Sequence, residues 1–326
     1  MKKAEEILDN ITKEKKENTI AKIKKEELSS FLDGWVKRFQ KNTNRDIFVI
    51  KWCYFINKDW YLVKGIERKE SVRNTKTLLD IFIMLVDDVS EKEDKDILLK
   101  ELLKIPFDFD NYNLDKLTEE DKEYFKFTEK AWKKIIESIK EYPYYRKIKD
   151  LFEFDVRQLI SAFQYGKLIT KNSYNMNKEE YWTYFPQSMQ IIINSDIDLM
   201  CKINFDFKKI GSFREAVLKA QKMARIGNWL TTWEREAKER DFTSLVFPLL
   251  KNREEINFEK FKNNPEQLIN KIKNLKIEKE LLNNWNQLQK EMIQILENNF
   301  SKDIQKRFED KLEYLFYMHS ISRGNK

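Results

Sequence analysis

Apolar residues recur at three- and four-residue steps through most of this chain, with charged residues filling the positions between them. The clearest stretch is 70–90, where Leu78, Leu79, Ile81, Phe82, Leu85 and Val86 share one side and predict a buried helix. The same spacing predicts helices over about 124–139, 145–168, 178–200, 213–238, 265–298 and 301–320. Leu28 to Phe55 is also apolar, with Phe31, Trp35, Phe39 and Trp52. Residues 91–122 are charged and contain IPFDFDNYN, which predicts a loop; Pro143 separates two helices, and a charged connector follows Pro248. No strand-turn-strand pattern, Gly-rich phosphate loop, internal repeat or linker interrupts the series. The expectation is an all-α protein of roughly ten helices. A charged N-terminal helix or arm (1–28) precedes one α-helical domain (29–326).

Composition supports that pattern. Only 6 Gly and 5 Pro punctuate 326 residues, so little in the chain breaks a helix. The net charge of +7 comes from 62 basic and 55 acidic residues that are interleaved, as on solvated helix faces. Without a basic stripe, no nucleic-acid partner is expected. Cys53 and Cys201 are too few for a disulfide framework or a zinc site and read as buried thiols of a reducing compartment. The N-terminus lacks the apolar core of a secretory signal, and no run approaches the roughly 18 apolar residues of a membrane span. The longest apolar run, Met189 to Cys201, contains Asn194, Asp196 and Asp198. The expected location is the cytoplasm; a homodimer is compatible with the sequence.

Two clusters carry candidate chemistry. One is Asp87-Asp88-Val89-Ser90-Glu91, at the end of the apolar run LLDIFIMLV. Asp87 and Glu91 are four apart, and Asp80 lies two turns deeper on the same face. The other is Asn228, Thr232 and Glu236 within IGNWLTTWERE. At 100° per residue each four-residue step drifts by only about 40°, so an amide, a hydroxyl and a carboxylate share one face over about 12 Å. Both clusters offer hard oxygens, which suit Mg²⁺ held jointly by a few side chains and substrate phosphates. Facing each other across an aromatic-rich bundle, they suggest a trap for an organic diphosphate. Either cluster alone also fits a solvated helix face.

Taken together and in this order, the clusters resemble the two metal motifs of class I terpene synthases, the microbial single-domain terpenoid cyclases. DDVSE resembles the aspartate-rich motif, and Asn228, Thr232 and Glu236 resemble the Asn-Ser/Thr-Glu triad. Arg235 stands where the family often has a basic residue before the glutamate. Asp241 matches a Gly-Asp step that commonly follows, with Arg240 in place of the Gly. Trp229 replaces an Asp that is not usually a ligand. The diphosphate-sensing Arg expected a little over forty residues before Asn228 is absent: Phe185 stands there, and no Arg occurs between Arg157 and Arg214.

The resemblance implies an antiparallel helical bundle, three Mg²⁺ ions and a lyase that ionises farnesyl or geranylgeranyl diphosphate and cyclises the cation. Metal ligands would be Asp87, Asp88, Glu91, Asn228, Thr232 and Glu236. Arg225, Arg235 and Arg323 are the candidates for diphosphate binding, with Lys167 a further cation; the family's usual C-terminal Arg-Tyr pair is not clear here, and Tyr317 and Arg323 are only candidates for it. Phe82, Phe163, Tyr165, Tyr181, Phe185 and Trp229 are candidates for the substrate pocket, although the same rings are core material in any helical protein. His319, the only histidine, reads as a packing or surface residue, and the tail SRGNK as a cap or a frayed end. A prenyl-condensing synthase on the same fold is one alternative; a non-catalytic helical nucleic-acid-binding or scaffold protein is another.

Overall fold

The computed structural model describes residues 2–43, 45–92, 94–107, 111–202, 204–253, 258–261 and 264–323. Part of the expected IPFDFDNYN loop (108–110), part of the connector after Pro248 (254–257) and the last three residues of the tail (324–326) lie outside them. The described residues are all-helical, with no strand among them and a single isolated bridge between Ile66 and Lys202. None of their helices is long and apolar enough to cross a membrane.

In chain order the helices are α1 (Ala4–Asp9), α2 (Lys13–Lys25), α3 (Ser30–Asn42), α4 (Ile47–Asn57), α5 (Lys69–Ser90), α6 (Asp96–Leu102), α7 (Glu119–Lys140) and α8 (Tyr145–Lys171). Then come α9 (Lys178–Tyr184), α10 (Ile191–Met200), α11 (Ile210–Glu239), α12 (Val246–Arg253), α13 (Pro265–Asn274), α14 (Ile277–Asn299) and α15 (Lys302–Ile321). Their starts follow ordinary capping chemistry. The Asp46 carboxylate accepts from the Phe48 N–H at α4, Thr118 Oγ1 from the Asp121 N–H at α7, and Asn177 Oδ1 from the Glu180 N–H at α9.

Among the described residues fifteen α-helices replace the expected roughly ten, for two reasons. Short helices such as α1, α6 and α12 span too few turns to register as a periodic pattern. Two expected long helices are also broken. The stretch 178–200 divides into α9, a 3-10 turn at Phe185–Met189 and α10, with Gln190 at φ 50° between the last two. The stretch 265–298 divides at Lys276, φ 51°, into α13 and α14.

The sequence was expected to hold one domain over 29–326. Residue contacts group the chain into two compact units, each built from separate pieces of sequence. One, the α5 unit, comprises 21–164 and 193–205; the other, the α11 unit, comprises 1–20, 165–192 and 206–326. In the α5 unit, α5 is central: α3, α4, α6 and α7 all pack on it, and Leu78, Leu79, Ile81, Phe82, Leu85 and Val86 are buried as the spacing predicts. A charged pair lies inside this core. Lys76 Nζ, fully buried, meets Asp198 Oδ1 at 2.6 Å and donates to the Trp60 carbonyl at 2.8 Å. In the α11 unit, α11 packs against α13, α14 and α15. The N-terminal α1 is docked on α14 and α15, with Ala4 and Ile7 buried and the Ala4 N–H donating to Asn286 Oδ1 at 3.0 Å.

Candidate functional site

Asp87 and Asp88 occupy the last turn of α5, and Glu91 is its exposed C-cap. A helix ends in unpaired carbonyls that carry partial negative charge, so acids here are disfavoured, and α5 has no basic residue in that turn. The charge is offset by Arg45, which sits just before the N-cap of α4. Its Nε donates to Asp88 Oδ1 at 2.6 Å, its Nη2 also contacts Asp88, and Nη2 lies 3.5 Å from Asp87 Oδ2. Burial works against the Arg45 charge, but Asp88 and then Asp87 hold it above its ordinary pKa. Burial raises the Asp88 pKa, with Arg45 opposing. Tyr124 fixes the helix end by donating to the Leu85 carbonyl at 2.7 Å. Asp80, two turns back, is buried and accepts from Asn57 Nδ2 at 2.8 Å.

The second cluster belongs to the α11 unit. Thr232 and Glu236 are buried and Asn228 is half-buried, spaced along α11 as the sequence predicts. Thr232 Oγ1 donates to the Asn228 backbone carbonyl at 2.9 Å, which leaves its lone pairs as acceptors. Asn228 Oδ1 accepts from Arg225 Nη1 at 3.0 Å. Glu236 is 4% exposed, and its Oε2 has no hydrogen-bond partner. Burial, and then the nearby Asp241 charge, push its carboxyl up to about 8, against Arg225, a Thr232 hydrogen bond and Arg235.

The turn after α11 explains why Asp241 is so close. Arg240 takes a left-handed conformation (φ 62°), and the N–H groups of Arg240 and Asp241 both reach the Glu236 carbonyl. This is the position where the resembled motif has Gly. The Asp241 carboxylate then accepts from the Thr243 N–H (2.9 Å) and hydroxyl (3.0 Å). Trp229 Nε1 donates to the Thr243 carbonyl at 3.1 Å, and the Tyr181 hydroxyl donates to the Phe242 carbonyl. These bonds tie the turn to α11 and α9.

Aromatic rings border this cluster. Tyr181 and Phe185 lie 4.7 Å apart, Tyr165 is 5.3 Å from Phe185, and Trp182 is 5.5 Å from Trp229. The Arg225 guanidinium carbon lies 5.4 Å from the Phe185 ring centroid and 5.3 Å from that of Trp229. Four expected pocket residues, Tyr165, Tyr181, Phe185 and Trp229, therefore gather in the α11 unit. The other two lie in the α5 unit, where Phe82 packs 4.9 Å from Trp132 and Phe163 is buried.

The remaining cations have other partners. Arg235 is exposed and ion-paired with Glu239. Arg323 pairs with Glu234 and with Glu278 (3.1 Å), and Tyr317 shares a hydrogen bond with Thr19 at 3.1 Å. Lys167 is buried on α8. His319 is buried in α15 beneath α11, where a Cβ on Gly227 would lie 3.5 Å from it and 3.4 Å from Phe316. Its packing role matches the expectation. A cleft of about 730 Å³ in the α5 unit, lined by Phe31, Arg68, Glu70 and Lys134 among others, contains none of the expected site residues.

Among the described residues no group of three or more His, Cys, Asp and Glu side chains converges as a ready-made metal centre. The oxygens at Asn228, Thr232 and Glu236 nevertheless fit a hard cation: one amide, one hydroxyl and one carboxylate whose Oε2 is buried without a partner. A cation arriving there would displace the Glu236 proton and would draw further ligands from an anion or water. Arg45 is the residue that sequence inspection missed. Its tie to Asp88 spans more than forty positions, and no local pattern announces it. No protein-family model matches the chain, and no curated protein is similar enough in sequence to count as a relative.

Proposed function

We propose that the chain is a class I terpene synthase acting on farnesyl or geranylgeranyl diphosphate. The observation that carries the proposal is the α11 oxygen set, with Glu236 Oε2 buried and unpartnered on the face shared with Thr232 and Asn228. A carboxyl group kept out of water with an oxygen lacking a partner is costly, and such a group is a functional candidate when it stands beside a cation and aromatic faces. In this proposal Asn228, Thr232 and Glu236 hold Mg²⁺, and Asp87 and Asp88 are the candidate ligands of the α5 unit, considered by itself. When bound, Mg²⁺ supplies Lewis-acid charge that stabilises the departing diphosphate. Arg225 offers a planar fork of N–H donors to phosphate oxygens. Tyr181, Phe185 and Trp229 offer apolar faces that exclude water and can stabilise positive charge on carbon.

The test is incubation of the purified full chain with Mg²⁺ and, separately, geranyl, farnesyl and geranylgeranyl diphosphate, followed by gas chromatography with mass spectrometry. A cyclic hydrocarbon or alcohol from one substrate is expected. No product from any of the three, with the protein folded, defeats the proposal.

A further inference from the structure

Arg225 and Asn228 are three residues apart on α11, so their side chains meet on one face without any change of backbone. Arg225 Nη1 donates to Asn228 Oδ1 at 3.0 Å. The guanidinium is also bedded on two buried rings, Phe185 and Trp229. A permanent positive charge therefore rests against one of the three oxygens assigned above to Mg²⁺. A divalent cation on the same oxygen meets like-charge repulsion, which buried surroundings screen less than water does.

We infer that Arg225 is a latch on the α11 oxygen set: its guanidinium takes the cation's place at Asn228 until a diphosphate draws it away. The inference rests on the proposed function for the identity of that anion. Arg225 suits the exchange because its planar fork, which donates to the Asn228 amide oxygen, can donate to two phosphate oxygens at once. The consequence is an order of events. Diphosphate arrival releases Asn228 Oδ1, and only then does the set Asn228, Thr232 and Glu236 bind a divalent cation tightly. The coupling works in both directions, so the cation also strengthens diphosphate binding.

The test uses Mn²⁺, whose unbound form is counted by electron paramagnetic resonance, titrated into the full chain with and without inorganic diphosphate, and referred to protein-free titrations at the same diphosphate concentration that account for Mn²⁺ held by diphosphate in solution. The wild-type protein is expected to bind Mn²⁺ on the order of tenfold more tightly when diphosphate is present. Arg225→Gln is expected to bind Mn²⁺ without diphosphate on the order of tenfold more tightly than the wild type, and to gain little more when diphosphate is added. If circular dichroism shows the glutamine variant unfolded, Arg225→Met takes its place, because it keeps the packing on the two rings. Equal Mn²⁺ affinity of wild type and variant without diphosphate overturns the latch and leaves the metal assignment standing. Absence of Mn²⁺ binding with diphosphate, in both folded proteins, overturns the metal assignment and the latch together.

Discussion

At the end of α5, Asp87 and Asp88 sit near water with the Arg45 guanidinium between them, the first 39% and the second 15% exposed. In the last turn of α11, Glu236 is 4% exposed and one of its oxygens has no partner. Both are acids at the negative end of a helix, where the macrodipole disfavours them. The α5 acids are stabilised by a cation of the protein itself, and the α11 acid is stabilised by holding its proton. A metal bound as proposed would therefore do different work at the two sets of acids: at Asp87 and Asp88 it would compete with a guanidinium, and at the Glu236 carboxyl with a proton.

The largest expected effect probes what the two regions share. On the proposed function, Asp87→Ala and Glu236→Ala should each lower turnover of an isoprenyl diphosphate by on the order of 10²–10³-fold or more, with helical circular dichroism unchanged. If one variant keeps full activity, the metal assignment of its cluster fails.

The next effect tests whether compensation by an internal cation is a general feature of the α5 unit. Lys76 and Asp198 form a pair at 2.6 Å with almost no exposure on either side. Burial lowers the Lys76 pKa, with Asp198 opposing. Lys76→Met removes the cation that faces buried Asp198 and should cost about 3–5 kcal/mol of stability in urea unfolding. Adding Asp198→Leu should recover most of that loss, because the charge to be compensated is gone. A Lys76→Met variant as stable as the wild type would show that Asp198 does not need the lysine.

A third effect separates the proton from the guanidinium as the stabilising partner. Glu236 holds its proton up to about pH 8 in the folded chain, against an ordinary value of 4.5. Between those values the folded state binds more protons than the unfolded state, so stability falls as pH rises. The contribution is complete below about pH 4.5 and lost on passing pH 8. Each pKa unit corresponds to about 1.4 kcal/mol, which puts the whole window at roughly 5 kcal/mol. Denaturant unfolding from pH 5 to 9 should therefore show a steeper decline in the wild type than in Glu236→Gln, which cannot titrate. Parallel declines would mean that Asp241 and burial do not hold the proton as described.

The two regions were also unequally legible before the fold was known. The position of α5 follows from its apolar face, and α11 follows from the same spacing, so the ligand-type residues on both helices fall where 3.6-residue geometry puts them. Arg45 was not legible, because a contact over more than forty residues leaves no local trace. The helix ends around the α11 cluster were hidden for another reason. Left-handed residues that glycine usually marks are Gln190, Arg240 and Lys276 here, while Gly65 is the one glycine with positive φ among the described residues. A periodicity argument runs straight through Gln190 and Lys276 and merges α9 with α10 and α13 with α14. The mixed-charge surface conveyed little about a site, since the pairs that matter are set by tertiary packing.

The smallest effect follows from those hidden ends. The C-cap of α5, Glu91, has φ −77°, an ordinary helical value. Beside α11, the start of α14 is held by Lys276 at φ 51°, and Trp233 of α11 donates to Glu278 in the first turn of α14 at 2.6 Å. A left-handed non-glycine residue costs about 1–2 kcal/mol, and the extra freedom that glycine gives the unfolded chain offsets part of any relief. Lys276→Gly should therefore stabilise the protein by about 0.5–1 kcal/mol, read as a melting temperature higher by roughly 1–2 °C. Glu91→Gly at the relaxed end of α5 should do the reverse by a similar amount, since there glycine relieves nothing. A lower melting temperature for Lys276→Gly would mean that the lysine side chain contributes more to seating α14 against α11 than its backbone costs.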